Sequence, residues 1–228
     1  MKYSELVEVY STLEATSKRL EKTHLISEFL KKVPEEDLPK IALLLQGNVF
    51  PPHDPRKIGV AARLMIKAIA KSTGISEKDV EKEWKKTGDL GETAENLIKK
   101  KKQSTLIQTS LTVSKVFENI RKLSEFEGEG TIEKKIQLIA ELLTSAKPIE
   151  AKFITRTLLE ELRVGVADGT LRDAIVWAFF AKEIGFKYDL KENDFAVEDR
   201  KKYNEYIEAV LRNKRRKGLF YSRLRISS

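Results

Sequence analysis

Two short glycine-led segments are the residues of this 228-residue chain best placed to do chemistry, and that chemistry is the binding of anions. Ile58-Gly59-Val60-Ala61 and Val164-Gly165-Val166-Ala167 each stand just before a stretch with helical periodicity. The free N–H groups of a first helical turn favour phosphate. Glycine and small side chains let a backbone approach a surface closely. Arg163, directly before the second segment, adds a charge suited to a minor groove. An element of this kind reads backbone and groove shape rather than base sequence. A tight turn between helices, with glycine only avoiding a clash, explains the same residues, and the residues alone leave both explanations open.

Weaker signals lie between the two segments. Thr87-Gly88-Asp89-Leu90-Gly91-Glu92 has two glycines around a short turn and can present N–H groups to a phosphate, although a helix-capping turn is the plainer reading. Lys99-Lys100-Lys101-Lys102 suits a solvated helix end better than a track for phosphates. No Gly-rich nucleotide loop or Gly-x-Gly-x-x-Gly is present. His24 and His53 are isolated and lack ligand spacing, and there is no cysteine to hold zinc. Trp84 and Trp177 sit in apolar helical surroundings that suit core packing. Catalytic, cofactor-binding and metal-binding residues are therefore assigned to none of the chain.

The elements that must position these residues read as helices. Leu6, Val9, Tyr10 and Leu13 share one face at a period of 3.6. Leu25, Ile26, Phe29 and Leu30 form a second such face. Val113, Val116, Phe117, Ile120 and Leu123 form a third, and Ile136, Ile139, Leu142 and Leu143 a fourth. No stretch alternates convincingly at period two. Ser76-Glu77-Lys78-Asp79 resembles a capping box, Pro148 fits a first turn, and the three prolines of Phe50–Pro55 demand a loop.

An internal repeat organises the whole. Leu25-Ile26-Ser27-Glu28-Phe29-Leu30 matches Leu138-Ile139-Ala140-Glu141-Leu142-Leu143, and Pro34 or Pro148 follows. Ile58–Ala61 then matches Val164–Ala167, and Ala70–Gly74 matches Ala181–Gly185, at offsets of 113, 106 and 111. The expected architecture is all-α: two pseudo-symmetric helical halves, about 1–110 and 111–210, forming one compact domain.

Charge is a poor guide to partners. The net charge is +8, but Arg212, Lys214, Arg215, Arg216, Lys217, Arg223 and Arg225 supply seven of the eight within residues 211–228, which hold no acid. The folded part is nearly neutral, so a nucleic-acid site must come from local placement. Poor order is expected for 211–228. The longest apolar run, Ala174–Ala181, is too short for a bilayer, and no leader is visible, so an intracellular, cytoplasmic protein is expected. Abundant Lys and Glu with scarce Met lean towards a heat-adapted source.

At the quoted glycine segments, and at Phe50 to Gly74 and Glu150-Ala151-Lys152-Phe153-Ile154-Thr155-Arg156 through Leu162, the sequence resembles the N-terminal DNA-binding domain of archaeal and eukaryotic-type ATP-dependent DNA ligases. The resemblance covers about residues 1–185. It implies sequence-independent packing on the minor groove and phosphates of nicked duplex DNA, in replication, repair and recombination, with association to the nucleoid. It places DNA contacts at Arg163, Gly165 and Ala167, at Gly59 and Ala61, and at Gly88 and Gly91. Archaeal members carry a sliding-clamp (PCNA) motif nearby, which maps to Gln103, Leu106 and Ile107, with Leu and Ile where the family has aromatics. The family's Lys-x-Asp-Gly nucleotidyl motif is absent, and Val166 stands where the lysine would precede Asp168-Gly169. No catalysis and no cofactor are expected of this chain alone; ATP and Mg belong with the adenylation and OB-fold domains of a full-length ligase. The contrasting expectation is a helical protein-interaction scaffold with no affinity for DNA.

Overall fold

The computed structural model describes residues 1–101, 110–126, 128 and 130–217. Eleven α-helices run through them: α1 Tyr3–Ala15, α2 Arg19–Leu30, α3 Leu38–Leu44, α4 Ala62–Thr73, α5 Glu77–Thr87, α6 Leu90–Lys99, α7 Val113–Lys122, α8 Thr131–Ser145, α9 Pro148–Leu158, α10 Asp168–Phe179 and α11 Arg200–Lys217. The fold is all-α apart from one small hairpin, β1 Lys187–Asp189 with β2 Asp194–Ala196, paired antiparallel so that Tyr188 faces Phe195. The clamp-motif residues Gln103, Leu106 and Ile107 lie outside the described residues.

The chain forms two compact units that interleave along the sequence. The first comprises Met1–Val7, Gly47–Phe50 and Asp54–Arg163. Its framework is two packed helix pairs, α6 on α9 and α4 on α8. Met65, Ile66, Ala68 and Ile69 of α4 and Ile136, Ile139, Leu142 and Leu143 of α8 are buried, as a 3.6-residue stripe requires. Local signals set the helix ends. Ser76 accepts the Asp79 N–H at 3.2 Å and opens α5, Thr112 accepts the Lys115 N–H at 3.1 Å and opens α7, and Pro148 starts α9. The amino terminus is tied down by Tyr3 N–H to Leu111 O (2.8 Å) and Val113 N–H to Met1 O (3.1 Å).

The second unit comprises Glu8–Gln46, Pro51–His53 and the chain from Val164 onward. Here α10 packs on both α2 and α11. Trp177 of α10 is 1% exposed and lies under the hairpin, with the rings of Phe186 at 4.5 Å and Phe195 at 4.9 Å. That is the core role its surroundings suggested. Helix α11 runs through Lys217. Among the described residues, no helix is long and apolar enough to cross a membrane.

Candidate nucleic-acid interface

Both glycine-led segments adopt one conformation. Gly59 has φ +64° and Gly165 φ +67°, a left-handed geometry that side-chain-bearing residues rarely hold. Two residues later an extended alanine, Ala61 (φ −107°, ψ 167°) or Ala167 (φ −82°, ψ 164°), takes the N-cap position of α4 or α10. Neither alanine has a side chain that can accept from the first turn, so the N–H groups there lack the usual cap. Gly59, Ala61, Gly165 and Ala167 are all exposed, whereas Ile58 and Val164 are buried, at 3% and 2% exposure. The sequence in this way builds a buried apolar anchor, a left-handed glycine and an uncapped helix start, once in each unit.

The two starts differ in charge. Helix α4 has no acid in its first turn and carries exposed Arg63 there. Helix α10 opens on Asp168, which accepts a hydrogen bond from Gln46 Nε2 at 2.7 Å. This Asp168-Gly169 pair is the partial look-alike of the nucleotidyl motif, and its place is the first turn of a helix.

Arg163 closes the first unit. It has φ +60°, costly for a residue with a Cβ, and its side chain is half exposed. Its guanidinium is 3.0 Å from Asp89 Oδ2 and 2.7 Å from Glu161 Oε2. Asp89 is buried and serves three groups at once. It caps α6 by accepting from Gly91 N–H (2.6 Å) and Glu92 N–H (3.1 Å), and it pairs with buried Arg156 at 3.0 Å as well as with Arg163. Burial opposes its ionisation, but the Arg156 hydrogen bond, the Glu92 N–H and the two guanidinium charges outweigh that and hold its carboxyl below the usual range.

The second half of the Thr87–Glu92 segment faces inward. The Gly91 N–H belongs to Asp89, Gly91 is buried, and a Cβ there would meet Arg156 Cγ at 2.7 Å and Lys152 O at 2.8 Å. Gly88 is exposed, with φ +69°, and ends α5 by donating its N–H to Trp84 O at 2.8 Å. The structure thus brings Gly91 next to Arg156 and the carboxylate that holds Arg163. Sequence reasoning named Arg163 and missed Asp89 and Arg156 as its support. Nothing in the sequence marks Arg156 as buried, and it is that burial which demands an acidic partner. No group of His, Cys, Asp and Glu among the described residues could hold a metal ion.

Comparison with known proteins gives a consistent result. Residues 2–176 match the family model described as DNA ligase N terminus. The chain is 45% identical over 177 residues to a DNA ligase of Methanothermobacter thermautotrophicus, covering 78% of this chain and 32% of the relative. It is 43% identical over 212 residues to a DNA ligase of Methanosphaera stadtmanae (91% of this chain, 38% of the relative). With a DNA ligase of Nitrosopumilus maritimus the identity is 41% over 179 residues (78% and 30%). The chain spans about a third of the length of these relatives.

Proposed function

The chain belongs to the DNA ligase N-terminus family, and on that premise we propose that it binds and positions nicked duplex DNA, without base-sequence preference, for an ATP-dependent ligase. The observation that carries the proposal is the repeated helix start: an exposed left-handed glycine, an exposed alanine and an uncapped first turn, at Gly59–Ala61 and again at Gly165–Ala167. Phosphate oxygens fit such donors, and a glycine leaves room for the sugar-phosphate wall of a minor groove. Arg163 supplies the groove-entering charge, exchanging Glu161 for DNA at one guanidinium nitrogen while Asp89 holds the other. Gly88 offers a second exposed backbone, and Gly91 acts from behind by letting Arg156 and Asp89 close up.

Adenylyl transfer is no part of this chain's role, because its sequence holds no Lys-x-Asp-Gly. ATP, Mg and the joining step fall to the adenylation and OB-fold domains of the ligase. The sliding clamp remains a proposed partner through Gln103, Leu106 and Ile107, and the nucleoid a proposed location.

The test is the affinity of the full chain and its Arg163→Ala variant for one nicked duplex across a series of salt concentrations. The variant should bind more weakly by about 1–3 kcal/mol, uniformly across sequences. Equal affinity at every salt concentration would remove Arg163 from the interface. A chain that binds no duplex at all fits a helical protein-interaction scaffold instead.

A further inference from the structure

We infer that Lys22 and Lys135 are equivalent positioning residues, each fixing one glycine-led turn in the shape that presents its N–H to DNA; the inference rests on the function proposed above. The offset that lays Leu25–Leu30 on Leu138–Leu143 also lays Lys22 on Lys135. A separate match lays Ile58 on Val164. In the structure, Lys135 Nζ of α8 donates to Ile58 O at 3.1 Å, and Lys22 Nζ of α2 donates to Val164 O at 2.5 Å. Two matches found separately along the chain therefore meet in one hydrogen bond that occurs twice. The pairing is crossed: the first copy of the lysine helix serves the second glycine segment, and the second copy serves the first. Each bond lies within a single unit, and each ties a helix to the segment that leads into its packing partner, α8 to the start of α4 and α2 to the start of α10.

The geometry explains what the bond does. In a trans peptide the carbonyl and the following N–H point in opposite directions. Drawing the carbonyl of buried Ile58 or Val164 onto an ammonium aims the N–H of Gly59 or Gly165 the other way. Neither glycine N–H donates a hydrogen bond among the described residues. The ammonium also occupies the space a side chain would need: a Cβ on Gly59 would lie 3.0 Å from Lys135 Nζ, and one on Gly165 2.6 Å from Lys22 Nζ. Glycine is thus required at each turn by its left-handed φ, and the lysine tip is the atom a Cβ there would have to displace. Lys22 is 9% exposed, and burial lowers the pKa of its ammonium, as expected of a lysine kept for a carbonyl rather than for solvent.

The test uses the isotope-labelled full chain with Lys22→Met and Lys135→Met, read by amide NMR and by nicked-duplex affinity over a salt series. Lys22→Met should move the Gly165 amide resonance and leave Gly59 in place; Lys135→Met should do the reverse. Each should weaken duplex binding about tenfold, because the glycine N–H is no longer held in its binding orientation before DNA arrives. The salt slope should stay that of the parent, because no phosphate contact is removed, and Lys→Arg should restore most of the affinity. Lys135 is the less buried of the two, so if Lys22→Met fails to fold, Lys135→Met carries the test alone. A salt slope reduced by about one would make the lysine a direct phosphate ligand and overturn the inference. So would glycine resonances that ignore the crossed pairing, or an affinity that does not change. If the resonances move as expected but the parent binds no duplex, the lysine–turn pairing stands and the DNA reading fails.

Discussion

Asp89 and Arg163 form an ion pair of 3.0 Å in which the carboxylate is buried and the guanidinium half exposed. The same carboxylate caps α6 and neutralises Arg156, whose side chain is 4% exposed. Asp89 therefore links a helix start, a buried cation and the arginine proposed to meet DNA.

Asp89→Asn keeps an oxygen for the cap but leaves Arg156 without its buried counter-charge. Breaking a buried pair from one side costs roughly 3–5 kcal/mol, and the retained cap bonds should place this variant near the lower figure. Denaturant unfolding should show a lower midpoint and an unfolding free energy reduced by about 3 kcal/mol, and duplex affinity should fall with it as Arg163 loses its hold. An unchanged midpoint would mean that Glu92, 3.7 Å from Arg156, suffices as its partner.

The depressed pKa of Asp89 fixes a sign for acid stability. A carboxyl with a folded-state pKa below its unfolded value contributes stability that is fully present above the unfolded pKa, about 3.9. That stability is lost as pH falls through the folded value. The parent should lose more stability than Asp89→Asn between about pH 4 and its acid unfolding, narrowing the gap between them. Parallel stability curves through that range would contradict the assignment.

Alanine at the four glycines should separate backbone conformation from packing. Gly88→Ala meets nothing within 4 Å, so only its left-handed φ counts, about 1 kcal/mol. Gly59→Ala and Gly165→Ala add displacement of a lysine and should cost about 1–2 kcal/mol each, together with affinity for duplex. Gly91 has no positive φ, yet its Cβ would strike Lys152 O at 2.8 Å, a backbone atom that cannot swing aside. Gly91→Ala should be the most damaging, at about 2–3 kcal/mol by thermal or denaturant unfolding.

The strained backbone at Arg163 inverts a familiar order of substitutions. Alanine normally stabilises relative to glycine, but at φ +60° it carries the left-handed penalty that glycine avoids. Arg163→Gly should be more stable than Arg163→Ala by about 1 kcal/mol, while both lose duplex affinity to the same degree. Equal melting temperatures would argue that the turn relaxes once the side chain is gone.

Local features of this chain were open to reading. The stripes of α7 and α8, the caps at Ser76 and Pro148 and the proline loop follow from neighbours three or four residues apart, and the sequence carries that spacing directly. The repeat of Ile58–Ala61 in Val164–Ala167 was visible for the same reason. Its lysines were not, because nothing in the spacing of Lys22 says that its ammonium crosses to Val164. Asp89, Arg156 and Arg163 likewise meet only through the packing of α6 on α9. The hairpin escaped because each strand offers three residues with one inward ring, Tyr188 or Phe195, too short for alternation to register.

The most direct measurement is a titration of the isotope-labelled full chain with a nicked duplex, following backbone amides. Binding through the two glycine-led helix starts predicts that Gly59, Ala61, Arg163, Gly165 and Ala167 move first and saturate together. Changes confined to the basic residues from Arg212 onward, with those five amides still, would contradict it.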